Sequence, residues 1–261
     1  MRNRSDFKDG KTSNIQHPTS NIQLAAYRTS LDVGCSMLDV GCFFLVLFLL
    51  LPVTAFAQST NSPSARSDLT LLQCGNLIYA GNKSSVCFAD SFLEEVSNQT
   101  NLRVNPSFCA VRLDADALFD FPFCVMSGNE TFSFTQKERD QLRKYLTQGG
   151  FLLVSPGCSD EKWDKAFREE VKICFPEYSL KPIPLSHPIF SIVNHITRLT
   201  EKHGREVYIE GLEINGRLVM IYSKEGLNDV QHASGCCCCG GNEISYPALI
   251  NVNVFTYAVL Y

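Results

Sequence analysis

Residues 121–154 read FPFCVMSGNETFSFTQKERDQLRKYLTQGGFLLV, and the class of fold is decided there. Phe121 to Met126 is a short, unbroken apolar run closed by Ser127-Gly128, the pattern of a strand buried on both faces. Thr135 and, three residues on, Glu138 form a capping box that opens a helix. Leu142, Tyr145 and Leu146 share the inner face of that helix, and Gly149-Gly150 ends it, because a glycine tolerates the positive φ that stops a helix. Phe151 to Val154 is a second apolar run with no alternation. A buried strand, an amphipathic helix and another buried strand in immediate succession predict a parallel βαβ unit.

The same alternation continues in both directions. Upstream, Leu69 to Tyr79 is apolar enough for a first strand, Phe88 to Asn98 has helical spacing, and Phe108 to Leu113 reads as a strand. Downstream, Asp160 to Phe175 is a helix with Trp163, Phe167 and Val171 inward. A Pro-rich crossing from Lys181 to Pro188 leads to a predicted helix over Ile189 to Leu199. Arg217 to Tyr222 is a late strand, and Pro247 to Tyr261 a closing apolar helix. The expectation is an α/β, flavodoxin-like three-layer sandwich with a mostly parallel sheet covered on both faces. Such sheets bind ligands outside the carboxyl ends of their strands. That directs attention to the loops beginning near Ser127, Ser155 and Ser223.

Composition narrows the class. Of 261 residues, 45% are hydrophobic and 19% charged, enough apolar material for a real core. The net charge is -4 with no long run of Lys or Arg, so no electrostatic footprint for nucleic acid is present. Near the amino terminus Phe43 to Leu51 reads FFLVLFLLL and is followed by Ala55-Phe56-Ala57, the h-region and small-x-small site of a secretory signal peptide. An uncleaved anchor is the alternative, and the only membrane contact expected. The organisation read from this is an extension without function at 1–36, a signal peptide or anchor at 37–57, a linker at 58–68 and the α/β domain at 69–261. Ser13-Asn14-Ile15-Gln16 recurs as Ser20-Asn21-Ile22-Gln23, and these short upstream repeats mark Met37 as a candidate true start. The expected location is exported: periplasm or cell envelope.

Several pieces are similar to a known family. Leu118 to Phe123 with Ser127-Gly128, Leu142 to Leu146 with Gly149-Gly150-Phe151-Leu152, Ser186-His187-Pro188-Ile189-Phe190, Gly216 to Val219 and Asn251-Val252-Asn253 occur in order. Together they resemble the domain of unknown function DUF4159 over residues 69–261. The resemblance implies a flavodoxin-like sandwich related to the class I glutamine amidotransferase and ThuA-like group, and it implies no activity.

Two groups of residues have chemical promise. Cys158 stands in Ser155-Pro156-Gly157-Cys158-Ser159, between a strand and a helix, where amidotransferase-like folds hold a nucleophilic thiol activated by a helix amino terminus. Its base would be His187 or His232, reached from elsewhere in the chain; the competing reading is a partly buried thiol that packs as a small hydrophobe. In Gly235-Cys236-Cys237-Cys238-Cys239-Gly240-Gly241, Cys236 and Cys239 have the C-x2-C spacing of a zinc knuckle, with Cys158 or His232 as a further ligand. A second pair is missing, and in an exported chain disulfides compete with metal. No P-loop, dinucleotide fingerprint or G-x-S-x-G elbow is present. The favoured expectation is a non-catalytic binding or interaction module whose partner is an envelope protein or a small molecule. The alternative is a cysteine- or metal-dependent hydrolase acting on a small polar or sugar-like substrate.

Overall fold

The computed structural model describes residues 71–84, 88–228 and 243–261, all within the compact unit Ser62–Tyr261. The expectations for 1–36, 37–57 and 58–68 lie outside the described residues. Seven strands form one sheet: β1 (Cys74–Ile78), β2 (Cys109–Arg112), β3 (Phe123–Met126), β4 (Phe151–Val154), β5 (Lys181–Pro182), β6 (Glu210–Ile214) and β7 (Arg217–Tyr222). Their spatial order is β2-β1-β3-β4-β7-β6-β5. The first five are parallel neighbours, in the order of a flavodoxin-like sheet; β6 and β5 extend it antiparallel.

Alternation along the buried strands assigns the two faces. Phe123, Val125, Phe151 and Leu153 pack into one apolar cluster with α1 (Ser91–Gln99) and α4 (Pro247–Leu260). Cys124, Met126, Leu152 and Val154 turn to the other cluster, beneath α2 (Gln136–Thr147) and α3 (Glu161–Cys174). The result is the three-layer α/β sandwich expected from the sequence.

The decisive stretch folds as read. The Glu138 N–H donates to Thr135 Oγ1 at 3.2 Å, and Thr135 N–H donates back to Glu138 Oε2 at 2.7 Å. Glu138 is itself buried, and its other oxygen accepts from Ala80 N–H at 2.6 Å, tying the helix start to the loop after β1. Gly149 has φ +113°, beyond the reach of an ordinary L residue, and Phe151 and Leu153 are fully buried.

Besides the short strand β5 at the start of the Pro-rich crossing, two further elements differ from expectation. Ile189 to Leu199 is not a helix: a 3-10 turn at Pro188–Phe190 gives way to irregular chain. Asn253 of α4 is the physical reason. Its Oδ1 accepts from the Val193 and Asn194 N–H groups at 3.3 and 2.7 Å, and its Nδ2 donates to Asn194 O at 2.8 Å. The backbone groups that a helix would have paired internally are taken by a side chain. The second difference is an unforeseen strand, β6, joined to β7 by Asn215-Gly216 with φ 51° and 79°. Asn-Gly between apolar runs is the sequence signature of such a hairpin.

Candidate binding crevice at the carboxyl edge

The chain enters β1, leaves toward β2 on one side and returns to β3 on the other, so strand order reverses between β1 and β3. In open α/β sheets the ligand crevice lies outside the carboxyl ends at such a point, which makes this edge the candidate site. The loops that surround it follow β1 at Tyr79-Ala80, β3 at Ser127-Gly128, β4 at Ser155 and β7 at Ser223.

These loops are locked to one another. Ser127, Ser155, Ser223 and Asn228 are all buried. The Ser155 hydroxyl donates to Asn228 Oδ1 and accepts from Leu227 N–H at 3.2 Å. Asn228 Nδ2 donates to Ser127 Oγ at 3.3 Å and to Pro156 O at 3.1 Å, so one amide joins the loops after β3, β4 and β7. The Asn228 backbone carbonyl accepts from Ala89 N–H at 2.8 Å, and Asn251 Nδ2 of α4 donates to Leu227 O at 2.8 Å. Beneath the β3 loop, Trp163 Nε1 donates to the Tyr79 hydroxyl, which donates to Ser127 O, at 2.8 and 2.9 Å. Burial pushes the Tyr79 phenol above its ordinary range. Gly128 sits so close to this pair that a Cβ there would lie 2.2 Å from the Tyr79 oxygen.

Backbone strain gathers at the same edge. Ala80, Glu130, Cys158 and Ser159 all have positive φ, at 45°, 62°, 51° and 54°, and they follow β1, β3 and β4. Non-glycine residues adopt this region at a cost and cluster where function over-determines the backbone. Cys158 is half-buried, in a left-handed conformation immediately before α3. The Ser159 hydroxyl donates to Glu225 O at 2.8 Å, and Asp160 caps α3 by accepting from Trp163 N–H at 2.8 Å.

His187 is elsewhere. Its ring lies 5.4 Å from that of Tyr257, near the end of α4, and it lines a cleft with Asn215 and Gly216, the turn that precedes β7. Ser159, next to Cys158, is instead bonded to Glu225, beyond the far end of β7. Five strand rises of about 3.3 Å, roughly 17 Å, lie between those ends. The structure does not bring Cys158 and His187 together. Cys236, Cys239 and His232 lie outside the described residues; on either side, Asn228 and Glu243 stand at the carboxyl edge, where Ile244 N–H donates to Gly226 O at 3.1 Å.

Of the other described cysteines, Cys109 is half-buried and its thiol donates to Gln73 Oε1 at 3.2 Å, and the remaining three are packing groups. Cys74, Cys124 and Cys174 are buried, and burial pushes the Cys124 and Cys174 thiols up to about 12, away from the reactive thiolate. Among the described residues no group of three or more His, Cys, Asp or Glu side chains is placed to hold a metal. Also among them, no helix is long and apolar enough to cross a membrane. Asn228 was not singled out from sequence; its only signal is a lone asparagine in a tight Gly226-Leu227-Asn228 turn after a strand.

Fold and crevice thus define a mostly parallel, flavodoxin-like α/β sandwich with a rigid, strained rim at its carboxyl edge. Residues 80–259 match the family described as Domain of unknown function (DUF4159), and the chain belongs to that family. No curated protein matches it.

Proposed function

We propose that this domain is a non-catalytic binding module of the cell envelope, built on a scaffold related to the class I glutamine amidotransferase and ThuA-like group. Its ligand site is the crevice outside β1, β3, β4 and β7, and the ligand is a small molecule or an envelope protein. One observation carries the reading. The buried polar groups beneath these loops are consumed internally, Ser127, Ser155 and Asn228 in holding the loops to each other and Ser223 in bracing its own, while His187, one of the two imidazoles proposed as base, stands at the opposite end of the sheet. A site whose hydroxyls and amide are fixed to protein partners presents shape and backbone groups to a ligand. General acid–base chemistry would require a base within hydrogen-bond reach of the nucleophile.

The strain at Cys158 favours a second reading, a cysteine hydrolase of a small polar substrate, because a half-buried thiol at a strained strand-to-helix turn is where such a nucleophile is held. A panel of amides, esters and glycosides offered to the wild-type chain and to Cys158→Ala separates the two. The binding reading expects no difference in product; Cys158-dependent product would establish the hydrolase. Export rests on the leader. A chain started at Met37 is expected to be secreted with Gln58 near its new amino terminus, and retention of the leader would refute cleavage there.

A further inference from the structure

A second cleft lies at the other end of the molecule, apart from the carboxyl-edge crevice and independent of its reading. Where β5 stops after two residues, the edge of β6 is left beside a recess of about 500 Å³, within the range of small-molecule sites. Lys181 pairs with Gly211, and Glu213 follows two residues on. Side chains two apart on a strand share a face. Leu212 and Ile214 belong to the core under α2 and α3, so Gly211 and Glu213 face the α4 side, and Lys181 with them. Lys181 and Glu213 are therefore diagonal neighbours, with backbones about 7–8 Å apart.

Gly211 makes the recess possible. Its missing side chain is replaced by Leu218 and Ile183, whose Cδ1 atoms would lie 2.4 and 2.8 Å from a Cβ at that position. They close over the glycine as an apolar floor. One wall is the His187 turn and Tyr257 of α4; at the far end the Tyr178 hydroxyl donates to Asn215 Oδ1 at 3.3 Å. His187 is committed: Nδ1 accepts from Ile189 N–H at 3.2 Å, which places the proton of the neutral ring on Nε2. Burial lowers its pKa and so favours that neutral form, although the nearby Glu213 carboxylate pulls the other way. The neutral His187 ring thus offers Glu213 no full positive charge. Neither the Lys181 nor the Glu213 side chain has an ion-pair or hydrogen-bond partner among the described residues, and the two do not pair with each other.

We infer that this cleft binds a small zwitterion, an α-amino acid with an apolar side chain. Its ammonium group meets Glu213 beside the Tyr257 and His187 rings, its carboxylate meets Lys181, and its side chain rests on Ile183 and Leu218. A cation against an aromatic face and a carboxylate is doubly favoured. Carrying both charges on one ligand satisfies both protein groups without leaving either desolvated and unpaired.

The probe is L-leucine, titrated calorimetrically into the full chain, beside N-acetyl-L-leucine, L-leucinamide and sucrose. Leucine is expected to saturate the chain, each blocked analogue to bind at least about tenfold more weakly, and sucrose to give no heat. Glu213→Gln is expected to weaken leucine about tenfold and to leave N-acetyl-L-leucine unchanged; Lys181→Met should do the same for leucine and spare L-leucinamide. Both side chains are exposed, so neither change threatens the fold. No leucine binding up to ~10 mM, equal binding of the blocked forms or of sucrose, or indifference to Glu213→Gln would each overturn the assignment.

Discussion

Asn228→Ala removes a side chain that joins three loops of the carboxyl edge. The wild-type amide makes three side-chain hydrogen bonds, to Ser155 Oγ, Ser127 Oγ and Pro156 O, and is 2% exposed. After truncation, the Ser155 hydroxyl loses its acceptor and the Pro156 carbonyl loses its donor, both in buried positions. A buried polar group left unpaired costs about 1–3 kcal/mol, so the two together come to about 2–6 kcal/mol. The lower end applies if water enters the space of the lost amide. For a domain of this size, each kcal/mol moves Tm by about 2–4 °C, which puts the expected drop near 10 °C. Ser223→Ala, which removes a single 3.3 Å bond from Gly226 N–H, serves as the control and should cost about 1 kcal/mol. Urea unfolding of the three chains, followed by tryptophan emission from Trp163, measures the differences directly. A loss below ~1 kcal/mol for Asn228→Ala, with an unchanged m-value, would show that this amide does not hold the rim.

Gly149→Val should destabilise by more than ~1 kcal/mol, because φ +113° is closed to a β-branched residue even though no atom lies within 4 Å of the missing Cβ; equal urea midpoints would refute the helix-end assignment. His187 makes stability depend on pH. Burial lowers its folded pKa, so as acidity rises the unfolded chain takes the proton first. Its contribution is therefore full above the unfolded value of ~6.5 and is lost as pH falls below it toward the folded value. Protonation also removes the Nδ1 acceptor of Ile189 N–H. Between pH 7.5 and 5 the wild type should lose more stability than His187→Asn, and equal losses would contradict the capping role.

The legible part of the molecule was the part whose signals are local. Thr135 with Glu138, the Gly149-Gly150 stop and the apolar runs on either side specify a βαβ unit within one short stretch, and the structure has it. The helix expected over Ile189 to Leu199 failed because its competitor, Asn253, is some sixty residues away and acts through a side-chain amide. Strand β6 had a local signal, Asn215-Gly216, that alternation with helices had masked. The loops after Ser127, Ser155 and Ser223 do lie at the carboxyl edge, as strand order implied. The Pro-rich crossing gave no hint that it would carry His187 to the other end of the sheet. Nor does a single asparagine reveal that it will join three loops.

The proposed function requires the carboxyl edge to bind its ligand without chemistry. The most direct test exposes the wild-type chain and Cys158→Ala to small molecules extracted from the envelope of the source cell, then identifies by mass spectrometry what each protein retains and releases. The account predicts that both chains retain the same compound, that it leaves with its mass unchanged, and that Asn228→Ala retains less of it. A compound altered by the wild type and left intact by Cys158→Ala would contradict the claim and make the crevice a cysteine active site.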